Sequence, residues 1–223
     1  NNMTLAEFLS EWKGERQQLL VHTSGSTGNP KPMWVSKLQM LNSARITCDF
    51  LGLHPGDTAL LCMNLDYIAG KMMVVRSIER QLRMFAVSPS GHPLAPLLKG
   101  DVTVWQNTSM VSSALQRYLS PVSVPASFSA PVFAAMVPLQ VYNSLQVPEE
   151  AEMLRQVRHL IIGGGSVDPA LGQQLLHFPN AVWSTYGMTE TLSHVALRRL
   201  NGPEASEWYT PFESVRMSRN AEG

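Results

Sequence analysis

Three groups of residues in this chain could do chemistry together. The first is the run Thr23-Ser24-Gly25-Ser26-Thr27-Gly28-Asn29-Pro30-Lys31. Gly25 and Gly28 let the backbone turn and come close to a ligand. The hydroxyls of Thr23, Ser24, Ser26 and Thr27, with exposed backbone N–H groups, can surround an anion. Lys31 adds a positive charge at the far end. Such a loop suits a polyphosphate. It is not a Walker A loop, in which Lys directly follows the second Gly and precedes Ser or Thr. Here Asn29-Pro30 intervene and Pro32 follows. Read without its neighbours, the same run would also serve as a hydrophilic connector.

The second group is Tyr186-Gly187-Met188-Thr189-Glu190-Thr191. Tyr186 offers a flat face to a purine, and Thr189 a hydroxyl to a phosphate. Glu190 is a hard oxygen ligand of the kind Mg²⁺ prefers. The alternative is a strand-to-helix turn with Thr and Glu placed for the helix dipole. The third is Arg76, within Met72-Met73-Val74-Val75-Arg76-Ser77. A buried Arg is costly without an anion. Its planar fork matches a carboxylate. Two readings stay open: a ligand carboxylate, or a structural Arg paired with Glu79 or Asp66 or left on a wet face.

These groups need a scaffold to position them. The chain has 223 residues, 44% of them hydrophobic and 15% charged, enough to bury a core. Lys and Arg number 17 and Asp and Glu 17, so no basic excess points to nucleic acid. Two cysteines, Cys48 and Cys62, make no disulfide scaffold and fit a reducing compartment. The most apolar stretch, Val132 to Val141, is short and contains Pro138, so no membrane span is expected. No signal-peptide pattern is visible. A cytoplasmic chain is the expectation.

Thr4 and Glu7 have capping-box spacing ahead of Leu5, Phe8, Leu9 and Trp12, which predicts a first helix ending at Gly14. Leu19 to His22 reads as a strand, and Thr23 to Pro32 as a loop. Ser36 caps a helix from about Leu38 to Leu51. Further strands are expected at Thr58–Cys62, Met84–Val87, Val102–Trp105, Phe133–Val137, His159–Ile162 and Ala181–Thr185. Helices are expected at Tyr67–Gln81, Met110–Leu119, after Pro138, and from Asp168-Pro169 to about His177. Ser88–Pro96 reads as loop. Pro121 to Pro131, rich in Pro and Ser, is either a subdomain seam or a surface loop. The alternation predicts an α/β fold with mixed or parallel sheets flanked by helices.

Taken together, the loop from Thr23 to Lys31 and Tyr186-Gly187-Met188-Thr189-Glu190 resemble the two signature segments of the adenylate-forming superfamily of acyl- and aryl-CoA synthetases. The loop departs from the family pattern only at Pro32, where Gly is usual. Leu160-Ile161-Ile162-Gly163-Gly164-Gly165-Ser166 is similar to the family's segment whose backbone packs on adenine. That resemblance implies nucleotide contacts for Gly164, Gly165 and Ser166. It implies the same for Tyr186, Gly187, Met188 and Thr189. Met136-Val137-Pro138-Leu139 resembles another family segment, here read as structural. Asn64-Leu65-Asp66-Tyr67 stands where relatives carry a residue that shapes the acyl pocket. Tyr67 therefore has two readings, an acyl-pocket residue or a packed core aromatic. Arg76 has the spacing of an Arg in the o-succinylbenzoate–CoA ligases of menaquinone biosynthesis, whose substrate carries two carboxylates. The short stretch before Thr23 fits that compact subfamily.

The resemblance implies ATP-dependent activation of a small carboxylic acid to an acyl-adenylate, then thioester formation with coenzyme A. Lys31, Thr189 and Glu190 would be the catalytic residues, with Mg²⁺ on Glu190 and the polyphosphate on Thr23–Lys31. Tyr67 and Arg76 would meet the acid. The alternatives are an adenylation domain loading a carrier protein and a non-catalytic nucleotide-binding module. Residues 1–223 would be the large N-terminal domain. The family's ribose-binding Asp and the Lys of its mobile C-terminal domain have no match here, so this stretch alone is expected to catalyse poorly.

Overall fold

The computed structural model describes residues 2–23, 31–106, 124, 128–216 and 218. Ser24, Gly25, Ser26, Thr27 and Gly28 lie outside the described residues, as do the predicted helix Met110–Leu119 and most of the stretch 121–131.

The helices are α1 Leu5–Lys13, α2 Lys37–Phe50, α3 Ile68–Arg80, α4 Ala95–Lys99, α5 Pro138–Leu145, α6 Pro148–Gln156 and α7 Pro169–Leu175. The strands are β1 Gln18–His22, β2 Pro32–Ser36, β3 Thr58–Leu61, β4 Arg83–Ala86, β5 Thr103–Gln106 and β6 Phe133–Met136, followed by β7 His159–Ile162, β8 Ala181–Gly187, β9 His194–Arg199 and β10 Thr210–Pro211. Local chemistry sets several helix starts. Thr4 and Glu7 form the expected capping box on α1, Ser36 Oγ accepts from Gln39 N on α2, and Asp168 accepts from Leu171 N on α7.

An eight-stranded sheet runs in the order β10-β9-β8-β7-β6-β3-β4-β5. Neighbours from β8 to β4 are parallel, and β5, β9 and β10 are antiparallel at the edges. Parallel neighbours need crossovers, which α3, the α5–α6 pair and α7 supply. The central strands β3, β4, β6 and β7 are apolar after their first residue because both faces are covered. Their side chains alternate between two cores. Ala59, Leu61, Phe133, Ala135 and Ile161 join residues of α1, α2 and α3 on one face. Leu60, Ala134, Met136, Leu160 and Ile162 join residues of α4 to α7 on the other. The expected α/β class is thus observed.

Five elements were not foreseen: β2, α4, α6, β9 and β10. β2 begins at the last residue of the predicted loop and pairs antiparallel with β1 from Gln18↔Ser36 to His22↔Pro32. This two-stranded hairpin stands apart from the main sheet. α4 begins inside the predicted loop Ser88–Pro96. β9 is joined to β8 by a short turn and is fixed by Asn201. The Asn201 side chain is buried and fully bonded: Oδ1 accepts from Val182 N (2.9 Å) and Arg199 Nε (3.0 Å), and Nδ2 donates to Phe178 O (2.9 Å) and Asn180 O (2.7 Å). Replacing Asn201 with Ala strands all four partners. The expected loss is about 3 kcal/mol of unfolding free energy, measured by urea denaturation. A loss below about 1 kcal/mol would show that β9 is held by other contacts.

Candidate functional site

In the sheet, the chain builds β3, β4 and β5 outward in one direction, then returns to the other side of β3 with β6 and continues through β7 and β8. Where strand order reverses, the covering helices diverge and leave a crevice at the carboxyl ends of the strands. A cavity of about 610 Å³ opens at this place. Its floor is made of the ends of β3 (Cys62, Met63), β6 (Met136, Val137), β7 (Gly163, Gly164) and β8 (Thr185, Gly187). Val137 and Leu139, in the segment read as structural, also line it, which gives that segment a second role.

Two groups singled out by their chemistry meet here. Tyr67 and Arg76 from the α3 segment share the cavity with Gly164, Gly187, Met188 and Thr189. Tyr67 is 51% exposed, so the packed-core alternative does not hold. The loop run reaches the same place through its stalk. His22, at the end of β1, lines the cavity and pairs with Tyr67 through a parallel bridge. Thr23 and Lys31 close the hairpin: Thr23 N donates to Lys31 O (3.0 Å), and Lys31 N donates to Thr23 Oγ1 (3.0 Å). Gly165, Ser166, Tyr186, Lys31 and Glu190 are exposed, and none of them is among the described lining residues.

Two glycines carry geometry that other residues would spoil. Gly164 turns the chain after β7 with φ +75°. At Gly187 the backbone of Ser193 crosses so closely that a Cβ has no room. That close crossing begins a tight turn. Thr189–Thr191 form a single 3₁₀ turn, not the start of a longer helix. Thr191 Oγ1 accepts from Met188 N (3.0 Å) and lies 2.7 Å from Ser193 O. Leu192 is held at φ +67°, an uncommon conformation for a branched residue. Glu190 projects from this turn and makes no ion pair among the described residues. No cluster of three His, Cys, Asp or Glu occurs among them. One carboxylate fits the way Mg²⁺ is held beside phosphates, where the substrate supplies other ligands.

The far wall is fixed by Gln140, a buried residue that motif reading missed. Its Oε1 accepts from Val137 N (3.1 Å), and its Nε2 donates to Cys62 O (3.2 Å) and Ser90 O (2.9 Å). It thereby ties β3, the loop after β4 and the start of α5 to one another.

Arg76 is 2% exposed. Glu79 is engaged by Arg45 (3.2 Å) and Arg80 (3.2 Å), and Asp66 accepts from Met3 N (2.9 Å). The paired-Arg reading fails on these contacts. Among described residues Arg76 meets no carboxylate: Nη2 donates to Ser193 Oγ (2.6 Å), Nη1 lies 3.8 Å from the Met73 sulfur, and Nε has no partner. Burial pulls its pKa down to about 10. Ser193 is followed by His194, also absent from the motif reading, whose Nε2 lies 2.9 Å from Thr47 Oγ1. Burial, and then the nearby Arg76, hold the His194 pKa well below the usual imidazole value.

This shift has a definite sign. The unfolded chain takes up a proton at His194 near pH 6.5, while the folded chain keeps it neutral. Below that pH the unfolded state binds more protons, so stability is level above about pH 6.5 and falls as the pH drops. His159, lowered by burial and then by Arg158, adds in the same direction. Urea unfolding between pH 5 and 8 should show this slope, up to about 1.4 kcal/mol per pH unit for each group. His194→Gln should make it shallower. An unchanged slope would mean that His194 titrates normally.

The comparisons with known proteins agree with this architecture. The chain is 27% identical over 185 residues to a 2-succinylbenzoate–CoA ligase of Geobacillus kaustophilus, covering 82% of this chain and 32% of the relative. It is 28% identical over 197 residues to the Enterococcus faecalis ligase of that name, covering 87% and 35%. The chain thus spans about a third of the length of these curated relatives. Among solved structures, an acyl-CoA synthetase (AMP-forming)/AMP-acid ligase II-like protein from Dyadobacter fermentans superposes with a TM-score of 0.77 at 34% identity, covering 97% of this chain and 54% of that one. The o-succinylbenzoate coenzyme A synthetase of Bacillus subtilis, solved with ATP and magnesium, shares the fold at a TM-score of 0.57 and 20% identity over 87% of this chain and 35% of its own. The model of the AMP-binding enzyme family matches residues 9–211, and the chain belongs to that family.

Proposed function

We propose that this chain is the nucleotide-binding N-terminal domain of an AMP-forming acid–thiol ligase that activates an aryl dicarboxylic acid of the 2-succinylbenzoate type, for menaquinone biosynthesis. The observation that carries this reading is a buried guanidinium with no carboxylate partner among the described residues, lining the cavity shared by the loop stalk and the Tyr186–Thr191 turn. One carboxylate of the acid would be activated while the other meets the Arg76 fork. The mostly apolar walls, with Tyr67 at the rim, suit an aryl group between them.

The chemistry proceeds in two displacements. A carboxylate oxygen of the acid attacks the α-phosphorus of ATP, the bond to the β-phosphate breaks, and pyrophosphate leaves. The thiol sulfur of coenzyme A then attacks the acyl carbon, AMP leaves, and the thiol proton goes to solvent. The attacking carboxylate is already ionised at neutral pH, so the first step needs no general base. The residues here position groups and stabilise charge. Lys31 and the N–H groups and hydroxyls of Thr23, Ser24, Gly25, Ser26, Thr27 and Gly28 would hold the polyphosphate. Gly164, Gly165, Ser166, Tyr186, Gly187 and Met188 would border the nucleoside, and Thr189 the α-phosphate. Glu190 would hold Mg²⁺, which supplies charge neutralisation when bound.

ATP–pyrophosphate exchange by the full-length protein, across a panel of acids, tests the reading. Exchange should be fastest with 2-succinylbenzoate, and AMP release should require coenzyme A. Exchange with no coenzyme A-dependent AMP release would instead favour loading of a carrier protein, and nucleotide binding without exchange a non-catalytic module. Glu190→Ala should abolish exchange while the fold persists. Wild-type pyrophosphate release in that variant would remove Glu190 from the mechanism. Arg76→Ala should raise KM for the dicarboxylate at least tenfold and leave KM for ATP nearly unchanged, as expected for a lost charged hydrogen bond of about 1.5–3 kcal/mol. Equal changes in both would make Arg76 structural.

A further inference from the structure

We propose that Ser193, His194 and Thr47 form a neutral positioning chain that orients Arg76 toward an anion in the cavity without consuming its charge. The inference rests on the reading of Arg76 as the contact for a substrate carboxylate.

Proton directions in this chain follow from the donors. A guanidinium only donates, so Ser193 Oγ accepts from Arg76 Nη2 at 2.6 Å. The Ser193 hydroxyl proton is then free for His194 Nδ1, 3.3 Å away. At the far end, Thr47 Oγ1 donates to Ser43 O at 3.3 Å. Its oxygen therefore accepts from His194 Nε2–H at 2.9 Å. Every proton has one place, and His194 is fixed as the neutral Nε2–H tautomer. A protonated imidazole would point a second N–H at Ser193 beside the guanidinium and break the order.

Charge gives the arrangement its purpose. Had a carboxylate oriented Arg76, the pair would be neutral and an incoming anion would find no net attraction. A hydroxyl and a neutral imidazole orient the planar fork and leave the positive charge whole. Among the described residues two guanidinium nitrogens remain without an oxygen: Nη1 faces only the Met73 sulfur, and Nε is buried with no partner. A buried polar atom is normally satisfied. A ligand carboxylate would satisfy the fork. Arg80, one helical turn on, shows the contrast. It is engaged with Asp49 and Glu79 and with Leu53 O, and it does not line the cavity. Leu192 at φ +67°, with its N donating to Thr189 O (2.9 Å), turns the chain so that Ser193 presents its hydroxyl to Arg76.

The test compares binding of 2-succinylbenzoate, benzoate and ATP to the full-length protein and its variants. Ser193→Ala should weaken 2-succinylbenzoate roughly tenfold, with less than twofold change for benzoate and ATP. Ser193→Thr, which keeps the hydroxyl, should restore most of that affinity. On an Arg76→Ala background, Ser193→Ala should add nothing, because the two act as one unit. Imidazole ¹⁵N shifts should report the Nε2–H tautomer in the wild type and a mixture in Ser193→Ala. If Arg76→Ala weakens the dicarboxylate but Ser193→Ala does not, the positioning chain is overturned while the substrate reading stands. If Arg76→Ala has no effect on it, the substrate reading itself fails and takes the chain with it. Equal loss for benzoate and 2-succinylbenzoate in Ser193→Ala would mark general disruption and also overturn the proposal.

Discussion

A parallel sheet has to be covered on both faces, and its covering helices cannot stay closed where the strand order turns back. That constraint makes the crevice between β3 and β6. The strands can be short because each residue is buried on one side or the other. Leu60 and Leu61, adjacent in sequence, serve opposite cores. Rigidity at the strand ends passes to the site: Cys62, Met136 and Gly163 each lie at or just past the last residue of a central strand. Of the proposed contacts, Gly164, Met188 and Thr189 stand on the turns that follow β7 and β8, while Arg76 stands on α3. This division lets the turns carry unusual geometry, such as Leu192 at φ +67°, while the sheet bears the cost.

Within the crevice, electrostatics is set by what surrounds Arg76. A fully buried guanidinium without a counter-charge would ordinarily destabilise the fold. Here Ser193 offsets part of that cost with one short hydrogen bond, and opening toward the cavity leaves room for solvent or ligand to supply the rest. Under the proposed function, the fold accepts a stability cost at one residue and recovers it when the acid binds. Pairing Arg76 with Glu79 would stabilise the empty protein and remove the reason for the acid to bind there. Arg45 and Arg80 hold Glu79 instead.

Local chemistry in the sequence was legible where it depends on near neighbours. The capping box at Thr4 and Glu7, the Ser36 cap, the α3 segment and the apolar central strands all read directly from the residues. β2 did not, because Pro32 opens it and its order comes from pairing with β1 across the loop. α6 carried a usable signal, Pro148 at the first turn followed by Glu149 and Glu150, which suits a helix start. β9 has no regular alternation in burial and begins just past the Thr189–Thr191 turn, where one reading of the segment placed the start of a helix. In the site, the types of Arg76, Tyr67 and Thr189 pointed to chemistry. Their surroundings did not follow from sequence: Arg76 and Ser193 are 117 positions apart, and only the packing of α3 against the start of β9 decides between a ligand contact and an ion pair.

Cys62 shows how the same burial guards the proposed reaction. An acyl-adenylate is an electrophile, and Cys62 lines the cavity in which it would form. A thiolate there would capture the acyl group before coenzyme A could. Burial pushes the Cys62 thiol up to about 12, and its Sγ donates to Ala135 O at 3.4 Å. The thiolate is the nucleophilic form of cysteine, so at neutral pH this one is inert. The strand that gives the cavity its floor thus also keeps its own sulfur unreactive, and under the proposed function acyl transfer would be left to a thiol that arrives from outside.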